Sequence, residues 1–373
     1  MEWSLIFNPL WVLFVFVVWV VLVLNAKPLR VISCPSQNIN VNRKWIFILF
    51  FLVVCVLGLH RWDTYHMPLY WMNDNFTSHF EPFHVWLVEN VAHDSILLYR
   101  LLVFGTTSVL YLYSAKYLDD FTNNFCFATC LFVVDSMFCE MRGTIGVMTM
   151  MFGFILLLNQ KKFLGIHTII AALLLYGSFF MHKSMPFGLA LAAIALFKFD
   201  RKSIIIGSWI AFPFLIPVVD ALLNNVLNGM FDLSFGDEMG LSRSVDDYGN
   251  QDRMVSNING LIADLITNIP LYLSFLYLSI RIGFRQIKMD RTHSYLFRLY
   301  YIMTYVGALF SFIETSSWIA IRISVMAIYP LPFLMSRVWS QEENHNKWVT
   351  WIVRLAIFAC VFNFVYRIYL WSK

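Results

Sequence analysis

Arg142, His182 and Arg322 are the residues of this chain best suited to chemistry, because each lies at or near the end of a long apolar segment. Charged side chains at bilayer depth are costly, so they persist where they bind an anion or pair. Arginine can fork two donors onto phosphate oxygens. Histidine can donate to a phosphate or carry a proton near neutral pH. Three such groups converging on one face suggest a site for an anionic, lipid-linked substrate.

Their local settings differ. Met141-Arg142-Gly143 opens an apolar helix, whose N-terminus also favours anions. The competing reading is an arginine that anchors in the headgroups or pairs with Glu140 beside it. Met181-His182-Lys183-Ser184 separates two apolar segments, and Lys183 adds charge there. The plainer reading is a polar turn in a tight helical hairpin. Arg322 lies a few residues into the segment that starts near Trp318, with Glu314 just outside as its nearest acidic neighbour. An arginine at that depth faces a wet cavity, an anion or a structural ion pair. Asp63, in Arg61-Trp62-Asp63-Thr64-Tyr65-His66, follows the second apolar segment and suits a general base reaching for an acceptor hydroxyl. Asp74, Glu81, Asp237, Glu238, Asp246 and Asp247 compete for that role, although most loop carboxylates are merely solvated.

The elements that must position these groups are membrane helices. The chain has 373 residues, of which 59% are hydrophobic and 13% charged, with a mean hydropathy of +0.66. A soluble domain carries roughly 25% charged residues. Apolar runs recur that are long enough to cross a bilayer as helices. They lie at 2–24, 45–59, 96–113, 121–139, 143–159, 163–180, 185–198, 203–222, 258–280, 294–313, 317–335 and 348–369. The fold class is all-α: a polytopic membrane bundle of about twelve helices, one transmembrane domain over 1–373. No internal repeat is evident, which weighs against inverted-repeat transporters.

Lysine and arginine bias sets the orientation. Lys27, Arg30, Arg43, Lys44, Lys161, Lys162, Lys198, Arg201, Lys202, Arg281, Arg285, Lys288 and Arg291 fall in loops of one side, the inner side. Both termini and the two long loops, 60–95 and 223–257, then face the extracytoplasmic side, as do Arg142, His182 and Arg322. Loop 60–95 is rich in aromatics and is expected to lie at the interface, with a helix from about Pro82 to Val91. The N-terminal apolar stretch has no basic n-region and no small-residue cleavage site, so it is expected to be a retained helix.

Other signals are weak. The net charge of +4 is explained by orientation and calls for no nucleic-acid partner. Cys126 and Cys130, spaced i, i+4, read as small apolar thiols rather than metal ligands. Asn75-Phe76-Thr77 fits a glycosylation sequon, a short pattern that carries little weight alone. No H-E-x-x-H, Walker A, G-x-S-x-G or dinucleotide fingerprint occurs. No metal and no cofactor are expected.

Taken in order, these features resemble the EpsG family of bacterial exopolysaccharide polymerases, related to the Wzy-type polymerases of O-antigen. Asp63-Thr64-Tyr65 comes first, then Glu81-Pro82-Phe83 leading into Trp86-Leu87, then Arg142 at a helix start. His182-Lys183-Ser184 follows before an apolar run, and Arg322 with Tyr329 comes last. Gly143 after the arginine and Lys183 between histidine and serine depart from the family's pattern. The resemblance implies a GT-C-type membrane glycosyltransferase in the bacterial inner membrane. Its substrate would be oligosaccharide repeat units on undecaprenyl diphosphate, polymerised at the extracytoplasmic face, with a chain-length regulator as a further partner. In that scheme Asp63 and His182 are catalytic, and Arg142, Arg322 and Lys183 bind the diphosphate. The alternatives are a flippase for the same lipid-linked saccharide and a GT-C enzyme that adds one sugar from a polyprenyl phosphate.

Overall fold

The computed structural model describes residues 81–118 except 94, 141–160, 165–230 except 183, 258–312 except 285, 286 and 288, then 323, 326–341 and scattered positions from 348 to 362. All regular structure among them is helical. The expected helices at 2–24, 45–59 and 121–139 lie outside the described residues, as do Asp63, Lys183 and Arg322. Contacts divide the chain into two compact units, one of residues 1–185 with 331–373 and the other of 186–330.

In the first unit, α1 (Pro82–Leu87) opens with proline at its first position, where a missing N–H costs nothing. It runs on as a π turn, Val88–Ala92, and stops at His93, which holds a left-handed φ of 46°. This is the helix expected from about Pro82 to Val91. Ser95 then caps α2 (Ile96–Tyr117), its hydroxyl accepting the Leu98 N–H at 3.3 Å. Next come α3 (Met141–Asn159) and α4 (Ile166–Phe179).

Glycine spacing lets α3 approach its neighbours closely. A Cβ on Gly153 would stand 3.1 Å from Leu175 of α4 and 3.4 Å from the Ala171 carbonyl. Around that contact Phe152, Leu156 and Ala171 form a buried cluster, with Leu110 of α2 packed against it. Gly146, one turn after Arg142, does the same for the chain that follows α4. A Cβ there would meet Met185 Cγ and Sδ at 2.9 Å and Met181 Cβ at 3.3 Å. We therefore expect Gly146→Leu to push the 181–185 turn off α3, at a cost of about 1–3 kcal/mol for overpacking. Thermal unfolding of the detergent-solubilised protein, compared with Gly177→Leu, checks this, since a Cβ on Gly177 would touch nothing.

Three hydroxyls on these helices are satisfied by the helix's own backbone. Thr107, Ser114 and Thr149 donate to the carbonyls of Val103, Leu110 and Ile145, each four residues earlier, at 2.7–2.8 Å. Later in the chain, Tyr111 of α2 stacks on Phe333 with ring centroids 4.8 Å apart.

Helix α5 (Met185–Ile194) leads into the second unit. There α6 (Lys202–Met230) and α7 (Ile258–Gly283) flank α8 (Arg291–Ser311). Asp290 caps α8, its carboxylate accepting the His293 N–H at 2.8 Å. Helix α8 is buried almost all round, and its side chains tie the neighbours in. Tyr295 donates to the Ala192 carbonyl, and Arg298 Nε donates to that of Ala195 at 2.7 Å while Nη1 lies 3.4 Å from Asp200. Those bonds cap the end of α5. The sequence suggested a span at 185–198, but the helix has ten residues, about 15 Å of rise, which is half a hydrocarbon core. Helix α6 differs in the other direction, running on to Met230 into the expected loop 223–257. Its apolar stretch Lys202–Ala221 has almost no fully buried residue, and Ile210, Phe214 and Val218 are among its most exposed. A face of that kind suits lipid.

The expected span 317–335 is also corrected. A helical turn at 326–328 ends in a turn at Tyr329-Pro330, and α9 (Leu331–Gln341) starts afresh. Proline disfavours the helical conformation in the residue before it, so Pro330 breaks the run at Tyr329. Two described helices, 142–159 and 202–221, are long and apolar enough to cross a membrane.

Candidate functional site

Glu81 directly precedes α1. Its backbone carbonyl accepts the first N–H bonds of that helix, from His84 and Val85, while its side chain makes no cap. The carboxylate instead reaches the start of α3, 61 residues on, and Oε2 accepts from Arg142 Nη1 at 3.0 Å. Oε1 faces His182 Nε2 at 3.8 Å. One carboxylate thus stands between two of the three residues singled out from the sequence. Glu81 and His182 are 6% and 5% exposed, whereas Arg142 is 23% exposed and is the open side of the cluster.

One turn after Glu81, on the same side of α1, His84 fixes the other half of the corner. Its Nε2–H donates to the Met181 carbonyl at 2.8 Å. A carbonyl only accepts, so the proton sits on Nε2, and Nδ1 accepts from the Tyr99 hydroxyl of α2 at 2.7 Å. The turn is therefore held through the Met181 carbonyl by His84, while the His182 ring faces Glu81 at 3.8 Å. His182 Nδ1 accepts the Ser184 N–H at 3.2 Å and lies 2.6 Å from Ser184 Oγ. Since a backbone N–H only donates, Nδ1 is unprotonated in this arrangement and Nε2–H points at Glu81.

The electrostatics follow from burial and charge. Burial pushes the Glu81 carboxyl up, but Arg142, His182 and His84 together outweigh it and hold it down at about 2. Glu81 is thus a fixed counter-ion, and so weakly basic that it makes a poor proton acceptor at neutral pH. Burial lowers His84 to about 4, with Glu81 acting against that and Arg142 for it, so His84 is neutral at neutral pH.

Both depressed values make the corner acid-sensitive. Unfolding lets His84 take a proton below its ordinary 6.5, which the folded form resists down to about 4. It likewise lets Glu81 take one below its ordinary 4.5, resisted when folded down to about 2. In both windows the unfolded chain binds more protons, so stability falls as pH falls. We expect the melting temperature to drop from pH 6.5 downwards, and His84→Gln to flatten the upper part of that fall, between 6.5 and 4.

Arg142 and His182 are therefore brought together, while Asp63, Lys183 and Arg322 lie outside the described residues. Glu81, His84 and Tyr99 complete the cluster. Glu81 stood in the aromatic loop as one carboxylate among several, and nothing in the sequence links His84 to a carbonyl 97 residues later. Among the described residues, no group of three or more His, Cys, Asp or Glu side chains suits a metal ion.

A chain of this hydropathy, helical throughout its described regular structure, with apolar helices and a charged corner at the end of one of them, is a membrane protein. The EpsG family model matches residues 43–372, and the chain belongs to the EpsG family. Membership points to a polysaccharide-polymerase role. No curated protein and no solved structure matches the chain.

Proposed function

We propose that this protein polymerises polyprenyl-diphosphate-linked oligosaccharide repeat units at the extracytoplasmic face of the bacterial inner membrane. It does so as a multi-pass bundle of about twelve helices, of GT-C type. The observation that carries the reading is Arg142: a partly exposed guanidinium at the N-terminal end of an apolar helix, anchored by a buried carboxylate. That end of a helix favours anions, and an arginine pre-oriented there suits a diphosphate.

In this reading the growing chain leaves its carrier for the non-reducing end of another repeat unit. The acceptor oxygen bonds to the anomeric carbon, and the diphosphate departs with the electron pair of the broken C–O bond. Arg142, with Arg322 and Lys183, stabilises the charge that develops on it. Asp63, from the loop before α1, and His182 are the candidates for the acceptor proton. The substrate partner is undecaprenyl-diphosphate-linked saccharide, and a chain-length regulator is a further partner.

The full-length protein in nanodiscs, given a lipid extract from source cells lacking it, should produce a ladder of longer lipid-linked saccharides. Addition of a single sugar would instead indicate a monosaccharide transferase. Movement of the saccharide across a sealed vesicle without lengthening would indicate a flippase.

A further inference from the structure

We propose that Ser184, His182 and Glu81 form a proton relay, in which Ser184 and His182 accept the proton of the attacking hydroxyl and Glu81 positions His182. The inference rests on the polymerase reading and assigns its proton step to His182 rather than to Asp63. Three observations support it. Ser184 Oγ lies 2.6 Å from His182 Nδ1, the unprotonated ring nitrogen. The opposite nitrogen, Nε2, faces a buried carboxylate at 3.8 Å. Ser184 is less buried than His182, so the relay opens outward through the serine.

The step balances simply. The acceptor hydroxyl gives its proton to Ser184 Oγ as its oxygen bonds to the anomeric carbon, and Ser184 gives its own proton to His182 Nδ1. The electron pair of the broken bond leaves with the diphosphate. The resulting imidazolium faces Glu81, whose negative charge favours it. Protonating Nδ1 forfeits the 3.2 Å bond from the Ser184 N–H, so the charged state is transient without that carboxylate. Among the described residues, the ionisable groups around His182 include Glu81 and His84 of the α1 segment and Arg142 of α3. Arg142 stays charged and His84 neutral at neutral pH, which leaves Glu81 as the group that favours imidazolium. Glu81 is a positioning residue here, since it touches His182 and Arg142 rather than the substrate.

The test is the lengthening assay run with full-length variants. Ser184→Ala should lower kcat about tenfold with KM within about twofold, short of the range that loss of a general base spans. Ser184→Thr, which keeps the hydroxyl, should restore most of it. Glu81→Gln should move the acid limb of the kcat profile to lower pH by about one unit, because the imidazolium loses its counter-charge. Should Glu81→Gln fail to fold, the serine pair decides alone. Wild-type kcat in Ser184→Ala, or abolition by Asp63→Asn alone, overturns the relay. A wild-type protein that lengthens nothing overturns the polymerase reading instead.

Discussion

Arg142→Ala should abolish saccharide lengthening and also destabilise the protein. The stability loss comes from Glu81, left buried with its guanidinium partner removed. Breaking a buried pair on one side costs about 3–5 kcal/mol, and the lower end applies because Arg142 is 23% exposed. Activity loss alone would not separate a diphosphate ligand from a structural ion pair. The double variant Glu81→Arg with Arg142→Glu tests the structural reading, and it also takes away the carboxylate that faces His182. It returns opposite charges to the corner, so thermal stability should recover in large part. Lengthening should not recover, because the position facing the substrate then carries a negative charge. A swapped protein that lengthens saccharide like the wild type would make Arg142 a structural residue only. Arg142→Lys should fall between, keeping the charge and losing the fork.

The second large effect is expected at His182. Replacing it with alanine should cut kcat by about 10²–10⁴, the range for loss of a general acid or base. The turn should survive, since the Met181 carbonyl stays bonded to His84 and Met185 stays packed on Gly146. The melting temperature should therefore fall less than for Arg142→Ala. Kinetics and thermal unfolding on the same preparations check the contrast. A His182→Ala protein that melts as low as Arg142→Ala yet turns over normally would make the histidine a turn residue, the plainer reading of its place in the sequence.

Parts of this corner were legible before any coordinates. Arginine opening an apolar helix is a costly choice, and so is histidine at the tip of a hairpin, which is why both stood out. Proline at position 82 announced the start of α1. The partner of Arg142 was not legible. Glu81 is 61 residues away, yet its carboxylate accepts from Arg142 at 3.0 Å. That pairing depends on how closely α3 approaches the 181–185 turn, which Gly146 permits and no short motif announces. The role of His84 was hidden for the same reason, because its donor meets a backbone carbonyl and carbonyls carry no sequence signature.

Composition and periodicity by themselves determined the class. A chain with 59% hydrophobic and 13% charged residues has few ways to satisfy its backbone other than helices in a membrane. They also placed the helix at Pro82 and the start of α3 at Arg142. Tertiary structure decided where helices end and which charges meet. Helix α5 stops at Ile194, where α8 side chains take the carbonyls of Ala192 and Ala195. Helix α6 runs on to Met230, beyond the apolar stretch that suggested it. Apolar length measures the cost of leaving water and is local to the segment. Helix ends and ion pairs depend on groups distant in sequence, and only the folded chain brings Arg142 and His182 each within 4 Å of Glu81.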